Sequence, residues 1–166
     1  MTAQEAPHTG DAAAPTGRRT RVRFLILLLI FLLTTINYAD RSTFSIAGDA
    51  ASKDLGLDAI QMGYILSAFA WAYVLGQIPG GALLDRFGTK LIYTLAIALW
   101  SLFTLFQGFS GFLAGGMIFI GLFAMRFMVG LAESPSFPGN ARLVAAWFPG
   151  NERGTASAIF NSAQYF

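Results

Sequence analysis

The chain has 166 residues, of which 55% are hydrophobic and 12% are charged, and its formal net charge is +2. Soluble proteins carry about 25% charged residues, so the composition argues against a soluble or nucleic-acid-binding domain and predicts an integral membrane protein. The chain has no cysteine, and its only histidine, His8, lies in a polar stretch. It therefore offers no catalytic set and no metal cluster, and we expect neither an enzyme nor a cofactor.

Residues 1–20 are rich in Ala, Thr, Pro and Gly and show no helical periodicity, which predicts a disordered cytoplasmic tail. Arginines then lead into an apolar run that begins at Phe24. A basic start before an apolar run is also typical of a signal peptide, but the helical pattern continues through Asp40 to about Ala47. The longer pattern favours a first span that is retained in the protein.

Three further apolar stretches are long enough to cross a membrane. They cover residues 60–83, 91–111 and 116–136, each near the ~20 residues that span a hydrocarbon core. A fifth stretch begins near Thr155 and reaches Phe166, and as a helix it would be only about 18 Å long. We therefore expect an all-α membrane protein with four full transmembrane helices and a truncated fifth.

Basic residues cluster in the stretches that would share one side of the membrane. Eight of the eleven lie in the N-terminal tail and after the second and fourth spans: Arg18, Arg19, Arg21, Arg23, Arg86, Lys90, Arg142 and Arg153. Short cytoplasmic loops are enriched in Lys and Arg. The distribution predicts a multi-pass protein of the cytoplasmic membrane with its N-terminus in the cytoplasm.

Four ionisable side chains lie inside the apolar stretches, namely Asp40, Arg41, Arg126 and Glu133. Each costs at least ~2.5 kcal/mol at the centre of a bilayer and normally faces a bundle interior or a watery cavity. Helical spacing places Arg126 and Glu133 on one face, about 10 Å apart along the axis. Charges in this position predict that the protein moves something across the membrane.

Polar residues accompany these charges at helical spacing. Thr34, Asn37 and Arg41 lie three and four residues apart and form one stripe on the first helix. Tyr73 and Gln77 are stacked in the same way on the second helix, where they could offer a hydroxyl and an amide to a polyol. Polar residues also join helices to one another, so both interpretations remain open for these two residues.

The four charges sum to zero when all are ionised, which suggests a division of roles. We hypothesise that Asp40 and Glu133 carry protons and that Arg41 and Arg126 bind a substrate carboxylate, because arginine stays protonated and its fork engages a carboxylate bidentately. Protonating one acid would leave the site with a net charge of +1, which matches a monoanion. Protonating both acids would leave +2, which matches a dianion. The alternative is that these residues form buried ion pairs that only hold helices in register, a poor source of stability.

The connection between the second and third spans reads Gly81-Ala-Leu-Leu-Asp85-Arg86-Phe-Gly88-Thr-Lys90. Its two glycines predict a tight reversal and a close helix approach. The basic residues alone would be explained by a turn that only sets topology. The whole pattern resembles the G-x-x-x-D-R-x-G-x-K signature of the major facilitator superfamily, in the position after the second span where that superfamily has it.

Other stretches resemble the anion:cation symporter family within that superfamily, and most of all its bacterial sugar-acid transporters. These stretches are residues 37–41, 67–73, 77–81, 126–135, 145–154 and 161–166. The resemblance implies proton-coupled uptake of an organic anion such as glucarate, galactarate or galactonate, with protons and lipid as the other partners. It also implies two six-helix halves with substrate between them, so residues 21–166 would be a partial N-terminal half that lacks its C-terminal partner.

The same resemblance assigns roles to several single residues. It implies that Tyr38, Tyr73 and Gln164 contact substrate or the proton path. It also implies that Arg153 joins Asp85 in closing the cytoplasmic side. A truncated membrane protein or an interaction scaffold that does not transport remains the alternative for the chain.

Overall fold

The computed structural model describes residues 21–113 and 115–165, and the elements in these ranges are all helical. The prediction of an all-α protein is therefore confirmed, whereas the predicted tail of residues 1–20 lies outside the described residues. The α-helices are α1 Val22–Asp54, α2 Ala59–Phe87, α3 Thr89–Gly108, α4 Gly116–Glu133, α5 Ser136–Trp147 and α6 Gly150–Ser162. Short 3-10 helices cover Ser110–Phe112 and Ala163–Tyr165.

Within the described ranges, four helical segments are long and apolar enough to cross a membrane. They are Val22–Asp54, Ala59–Phe87, Thr89–Phe112 and Gly116–Trp147. Large apolar side chains point outward from them, with Ile78 84% and Trp71 66% exposed. Outward apolar side chains are expected where a helix contacts lipid or another part of a membrane protein.

The connection between α2 and α3 is shorter than the sequence suggested. Helix α2 continues to Phe87, so Gly81 lies inside the helix, and the reversal is made at Gly88 alone, whose φ is +83°. A Cβ at Gly81 would meet no other atom within 4 Å. The prediction that Gly81 serves the reversal and a close approach is wrong, because the backbone hydrogen bonds of α2 continue past it.

Helices α2 and α4 pack so closely that their backbones are almost in contact. A Cβ at Gly76 would lie 2.5 Å from the Ser134 Oγ, and one at Gly130 would lie 2.5 Å from the carbonyl oxygen of Phe69. Gly80 meets Pro135 at 3.2 Å in the same way. The small residues at positions 76 and 80 therefore form the close helix contact that their spacing predicts.

The helical path of the fourth span continues past Pro135 to Trp147. Ser134 and Pro135 keep right-handed helical backbone angles between α4 and α5, and the Gly139 N–H donates to the Pro135 carbonyl at 2.9 Å. The helix α5 follows Ser134 and Pro135, and Phe148 beyond it is buried at 2% exposure. Phe148 is therefore part of the core.

Helix α6 begins at Gly150, five residues before the predicted start at Thr155. Its buried side chains, Ala156 and Phe160, join a cluster with Leu27 and Ile30 of α1. At the N-terminal ends of the two helices, Arg23 forms an ion pair of 2.9 Å with Glu152. The first turn was missed because its polar and mostly exposed residues, Asn151, Glu152 and Arg153, do not continue the apolar pattern.

Candidate functional site

The four charges within the membrane pair across helices. On α1 and α4 respectively, Arg41 donates from Nη2 and Nε to Glu133 Oε2, at 2.6 and 3.1 Å. The Arg126 Nη1 on α4 lies 3.8 Å from Asp40 Oδ2 on α1. Each helix thus contributes one acid and one base, and neither acid pairs with the arginine nearest to it in the sequence.

The two pairs differ in how completely they are satisfied. The Arg41–Glu133 pair has two charge-assisted hydrogen bonds, whereas the 3.8 Å separation of Arg126 from Asp40 is too long for one. Among the described residues, Glu133 Oε1, Asp40 Oδ2 and Arg126 Nε are buried without a hydrogen-bond partner. Unused hydrogen-bonding capacity at a buried charge is costly, so this cluster is suited to accept another polar group.

Aromatic rings surround both guanidinium groups. The Arg41 Cζ lies 4.9, 4.6 and 4.7 Å from the ring centroids of Tyr38, Phe69 and Tyr73. The Arg126 Cζ lies 3.5 Å from the Phe44 ring centroid and 5.8 Å from that of Phe69. Ring faces attract cations when water is excluded, so these residues hold two positive charges in an apolar layer.

Two cavities meet at Arg41. One, of about 140 Å³, is lined by Arg41, Leu66, Phe69 and Arg126. The other, of about 30 Å³, is lined by residues of five helices: Leu33, Thr34, Asn37, Tyr38, Arg41, Tyr73, Tyr93, Ile97, Trp100, Glu133, Ser136, Phe137 and Asn140. Both arginines therefore face the larger cavity, and the Arg41–Glu133 pair faces the smaller one.

Several lining residues were not singled out in the sequence. Phe44 and Phe69 lie next to the arginines, and Tyr93, Trp100 and Asn140 line the smaller cavity. Phe44 follows Arg41 by three residues and Phe69 precedes Tyr73 by four, so helical spacing could have indicated both. No signal in α3 or α5 could have done so, because those residues reach the site only through tertiary packing.

The remaining predicted substrate residues lie in different settings. Tyr38 and Tyr73 line the smaller cavity, but Gln77, one turn further along α2, is exposed and lies outside that lining. Gln164 donates to Asn161 Oδ1 at 3.1 Å in the final 3-10 helix. The substrate roles of these four residues stay predictions.

On the predicted cytoplasmic side, Asp85 is paired with Arg142 of α5. Arg153 instead donates to the carbonyl oxygens of Phe148 at 3.0 Å and Ala145 at 2.8 Å. Arg153 therefore satisfies the last carbonyls around the end of α5, and the structure brings Arg142 and not Arg153 to Asp85.

The other charged members of the motif between the second and third spans are Arg86 and Lys90, which are exposed near the turn at Gly88. The Arg86 Cζ lies 5.4 Å from the ring centroid of Phe87. Across the part of the chain that the structure describes, no group of three His, Cys, Asp or Glu side chains could hold a metal ion. The cluster of charges within the membrane is the candidate site for polar chemistry, because it holds buried polar atoms without hydrogen-bond partners among the described residues.

A family model described as Major Facilitator Superfamily matches residues 30–166. The probable galactarate/D-glucarate transporter GudP of Pseudomonas putida is 68% identical over 149 residues, which are 90% of this chain and 33% of the relative. The D-galactonate transporter of Escherichia coli is 44% identical over 153 residues, covering 92% and 34%. The chain thus spans about a third of the length of these relatives.

A solved structure shows the same arrangement of helices. It is the crystal structure of a bacterial homologue of the human lysosomal transporter Spinster, in an inward-facing and occupied conformation. The TM-score is 0.74 at 25% sequence identity, and the match covers 87% of this chain and 30% of the other.

Proposed function

Because the chain belongs to the major facilitator superfamily, we propose that it forms the N-terminal part of a proton-coupled transporter that takes up a sugar acid. The observation that carries the proposal is the pair of cross-helix acid–base contacts, Arg41–Glu133 and Arg126–Asp40. Relatives named as galactarate/D-glucarate and D-galactonate transporters support the substrate class. The basic residues support a location in the cytoplasmic membrane with the N-terminus inside.

The pairing links protons to substrate by competition for the arginines. When Glu133 is ionised, it occupies the donors of Arg41. Once protonated, it no longer neutralises that arginine, which is then free to bind a substrate carboxylate. Protons and anion therefore enter together, because the positive charge left by protonation of Glu133 is neutralised when the anion binds.

Arg126 is the arginine better placed to meet substrate first. Its contact with Asp40 is 3.8 Å long, and its Nε lacks a partner among the described residues. It also faces the larger cavity together with Arg41. A substrate carboxylate that reaches into that cavity would supply the short hydrogen bonds that Asp40 does not make.

The substrate's hydroxyl groups would be contacted by other residues of this chain and by the C-terminal half of the full-length transporter. Tyr38 and Tyr73 present hydroxyl groups next to Arg41. Gln77 and Gln164 would contact the polyol from the face that meets the C-terminal half. At the cytoplasmic end, Asp85 and its motif would close the inward path.

The test is uptake of labelled glucarate and galactonate by cells that express the full-length transporter containing this chain. We expect Arg126→Gln to abolish saturable, pH-driven uptake, and Lys53→Gln, which removes an exposed positive charge outside the site, to leave it unchanged. Replacing Na⁺ by K⁺ in the buffer separates proton from sodium coupling. Saturable uptake by the Arg126→Gln variant at normal membrane abundance would refute the assignment.

A further inference from the structure

The smaller cavity has a wall that the proposed charge chemistry does not use. The Tyr93 hydroxyl on α3 donates to Asn140 Oδ1 on α5 at 2.6 Å, and the Asn140 Nδ2 donates to Thr34 Oγ1 on α1 at 3.3 Å. Thr34 in turn donates to the Ile30 carbonyl at 2.8 Å. Side chains of three helices are thus joined by one chain of hydrogen bonds.

The packing around Tyr93 fixes the position of this network. A Cβ at Gly139 would lie 2.7 Å from Tyr93 Cδ2, so the tyrosine ring lies directly against the backbone of α5. Asn140, the next residue, is only 4% exposed. Thr34 and Tyr93 are half-buried, and a network whose groups are hydrogen-bonded is rigid, so the wall of the cavity presents polar groups at fixed positions.

The smaller cavity has room for water but not for an organic ligand. Organic ligands occupy pockets of roughly 300–1,000 Å³, whereas this cavity is about 30 Å³. A water molecule needs only about 10–15 Å³ and two to four polar partners. Two lining groups, Glu133 Oε1 and Trp100 Nε1, are buried without a hydrogen-bond partner among the described residues, so an acceptor and a donor for water are already in place.

We propose that this cavity is a hydrated proton path between Glu133 and the cytoplasm, and that Tyr93 and Asn140 position its water. The inference rests on the proposed proton-coupled function and adds a route for the proton. Thr34 and Tyr93 lie nearer the proposed cytoplasmic ends of α1 and α3 than Arg41 and Trp100 do. Of the two arginines proposed to bind substrate, Arg41 lines both cavities, whereas Arg126 lines the larger cavity and not this one.

The proton transfer leaves every atom and charge accounted for. The Glu133 carboxyl gives its proton to the adjacent water, that water passes a proton on toward the cytoplasm, and the remaining carboxylate closes again on Arg41. The charged and titratable side chains that surround Glu133 are Arg41, Asp40 and Tyr38 of α1, Tyr73 of α2, Tyr93 of α3 and Arg126 of α4. From α5 only the neutral Ser136, Phe137 and Asn140 line the cavity.

Comparing net uptake with substrate exchange distinguishes a role of Tyr93 in the proton path from a purely structural role. Net uptake driven by a pH gradient requires Glu133 to release its proton inside, whereas exchange of labelled for unlabelled substrate at equal pH does not. In the full-length transporter we expect Tyr93→Phe to lower net uptake about tenfold, less than the ~100-fold of a group that transfers the proton directly. Exchange should stay within about twofold of wild type, with the pH dependence of net uptake displaced.

Thr34→Val and Thr35→Val form a matched pair for the same test. Both hydroxyls donate to a carbonyl four residues earlier on α1, but only Thr34 lines the cavity. We expect Thr34→Val to reproduce the effect of Tyr93→Phe, and Asn140→Ser to retain more net uptake than Asn140→Ala.

An equal loss of exchange and net uptake in Tyr93→Phe, or equal effects of the two threonine variants, would overturn the inference. Absence of pH-driven uptake in the wild-type transporter would instead refute the proposed function on which the inference rests.

Discussion

Arg41 shows how one residue satisfies several requirements of a charge within a membrane. Its guanidinium donates twice to Glu133 and lies within 4.9 Å of the ring centroids of Tyr38, Phe69 and Tyr73. A planar, delocalised cation suits both contacts, whereas the compact ammonium of lysine suits neither as well. The identity of the base, and not only its charge, therefore matters here.

Replacing Arg41 with lysine should test this directly. We expect Arg41→Lys to lower uptake by about tenfold or more, because a lost charge-assisted hydrogen bond is worth roughly 1.5–3 kcal/mol. Arg21→Lys, at the exposed start of α1, is the matched control and should transport normally. Initial uptake rates, normalised to transporter in the membrane, measure both, and a normal rate for Arg41→Lys would show that charge alone suffices.

The role of Glu133 can be tested with a variant whose side chain cannot bind or release a proton. Glu133→Gln keeps the size of the side chain but cannot ionise, so Arg41 loses its anionic partner. We expect net uptake to be lost and the remaining substrate exchange to become independent of pH between about 5 and 8. Exchange that still rises as the pH falls would assign the proton to another group, with Asp40 the next candidate.

At the scale of elements, α2 and α4 behave as one unit because glycines remove the space between them. At Gly130 a side chain would collide with the carbonyl oxygen of Phe69, a backbone atom that cannot move without its helix. The same contact holds Phe69 against Arg41 and Arg126. The geometry of the charge cluster therefore depends on the absence of a side chain at position 130.

Gly130→Ala should destabilise the protein, and Gly63→Ala should not. Inserting a methyl group into a closely packed contact typically costs about 1–3 kcal/mol. A Cβ at Gly63, in contrast, meets nothing within 4 Å, so alanine there would only lower the conformational entropy of the unfolded chain, which does not destabilise the folded protein. Thermal denaturation of both variants in detergent, followed by the fraction that stays monodisperse, measures the difference. Equal midpoints would mean that α4 can shift without loss.

The sequence predicted the elements better than their ends and partners. Apolar runs identified four spans because lipid exposure requires them, and helical spacing placed the charges of α1 and α4 on inward faces. The ends of α2 and α6 were wrong since a helix follows its backbone hydrogen bonds past polar residues such as Asp85 and Glu152. Which acid pairs with which arginine is set by how two helices pack, and spacing along one helix does not contain that information.

For the molecule as a whole, ion pairs between distant parts of the chain join the helices at the face that is predicted to be cytoplasmic. Asp85 at the end of α2 pairs with Arg142 of α5, and Arg23 of α1 pairs with Glu152 of α6. Exposed pairs such as Asp85–Arg142 contribute little to stability, about 0–1 kcal/mol. In the proposed transporter, such a pair would still bias an equilibrium between inward-open and inward-closed states, which requires only differences of this size.

A charge exchange tests whether the Asp85–Arg142 pair acts in this way. Asp85→Arg and Arg142→Asp should each reduce uptake, and the double variant should restore most of it, because the exchanged pair recovers the same attraction. Exchanging Asp85 with Arg153 instead should not restore uptake, since Arg153 donates to carbonyl oxygens of α5. Initial uptake rates of the five proteins decide which arginine is the partner.

The length of α3 connects the site to the thickness of the bilayer. With the 3-10 turn that follows it, its span Thr89–Phe112 has 24 residues and extends about 36 Å, little more than an average hydrocarbon core, whereas the 33 residues of α1 extend about 50 Å. A long helix adapts to a thicker bilayer by standing more upright, but the α3 span has little spare length, so the lipid around it must thin in a thicker bilayer. Since α3 carries Tyr93 and Trp100, acyl-chain length is a variable that acts on the interior of the protein through its shortest span.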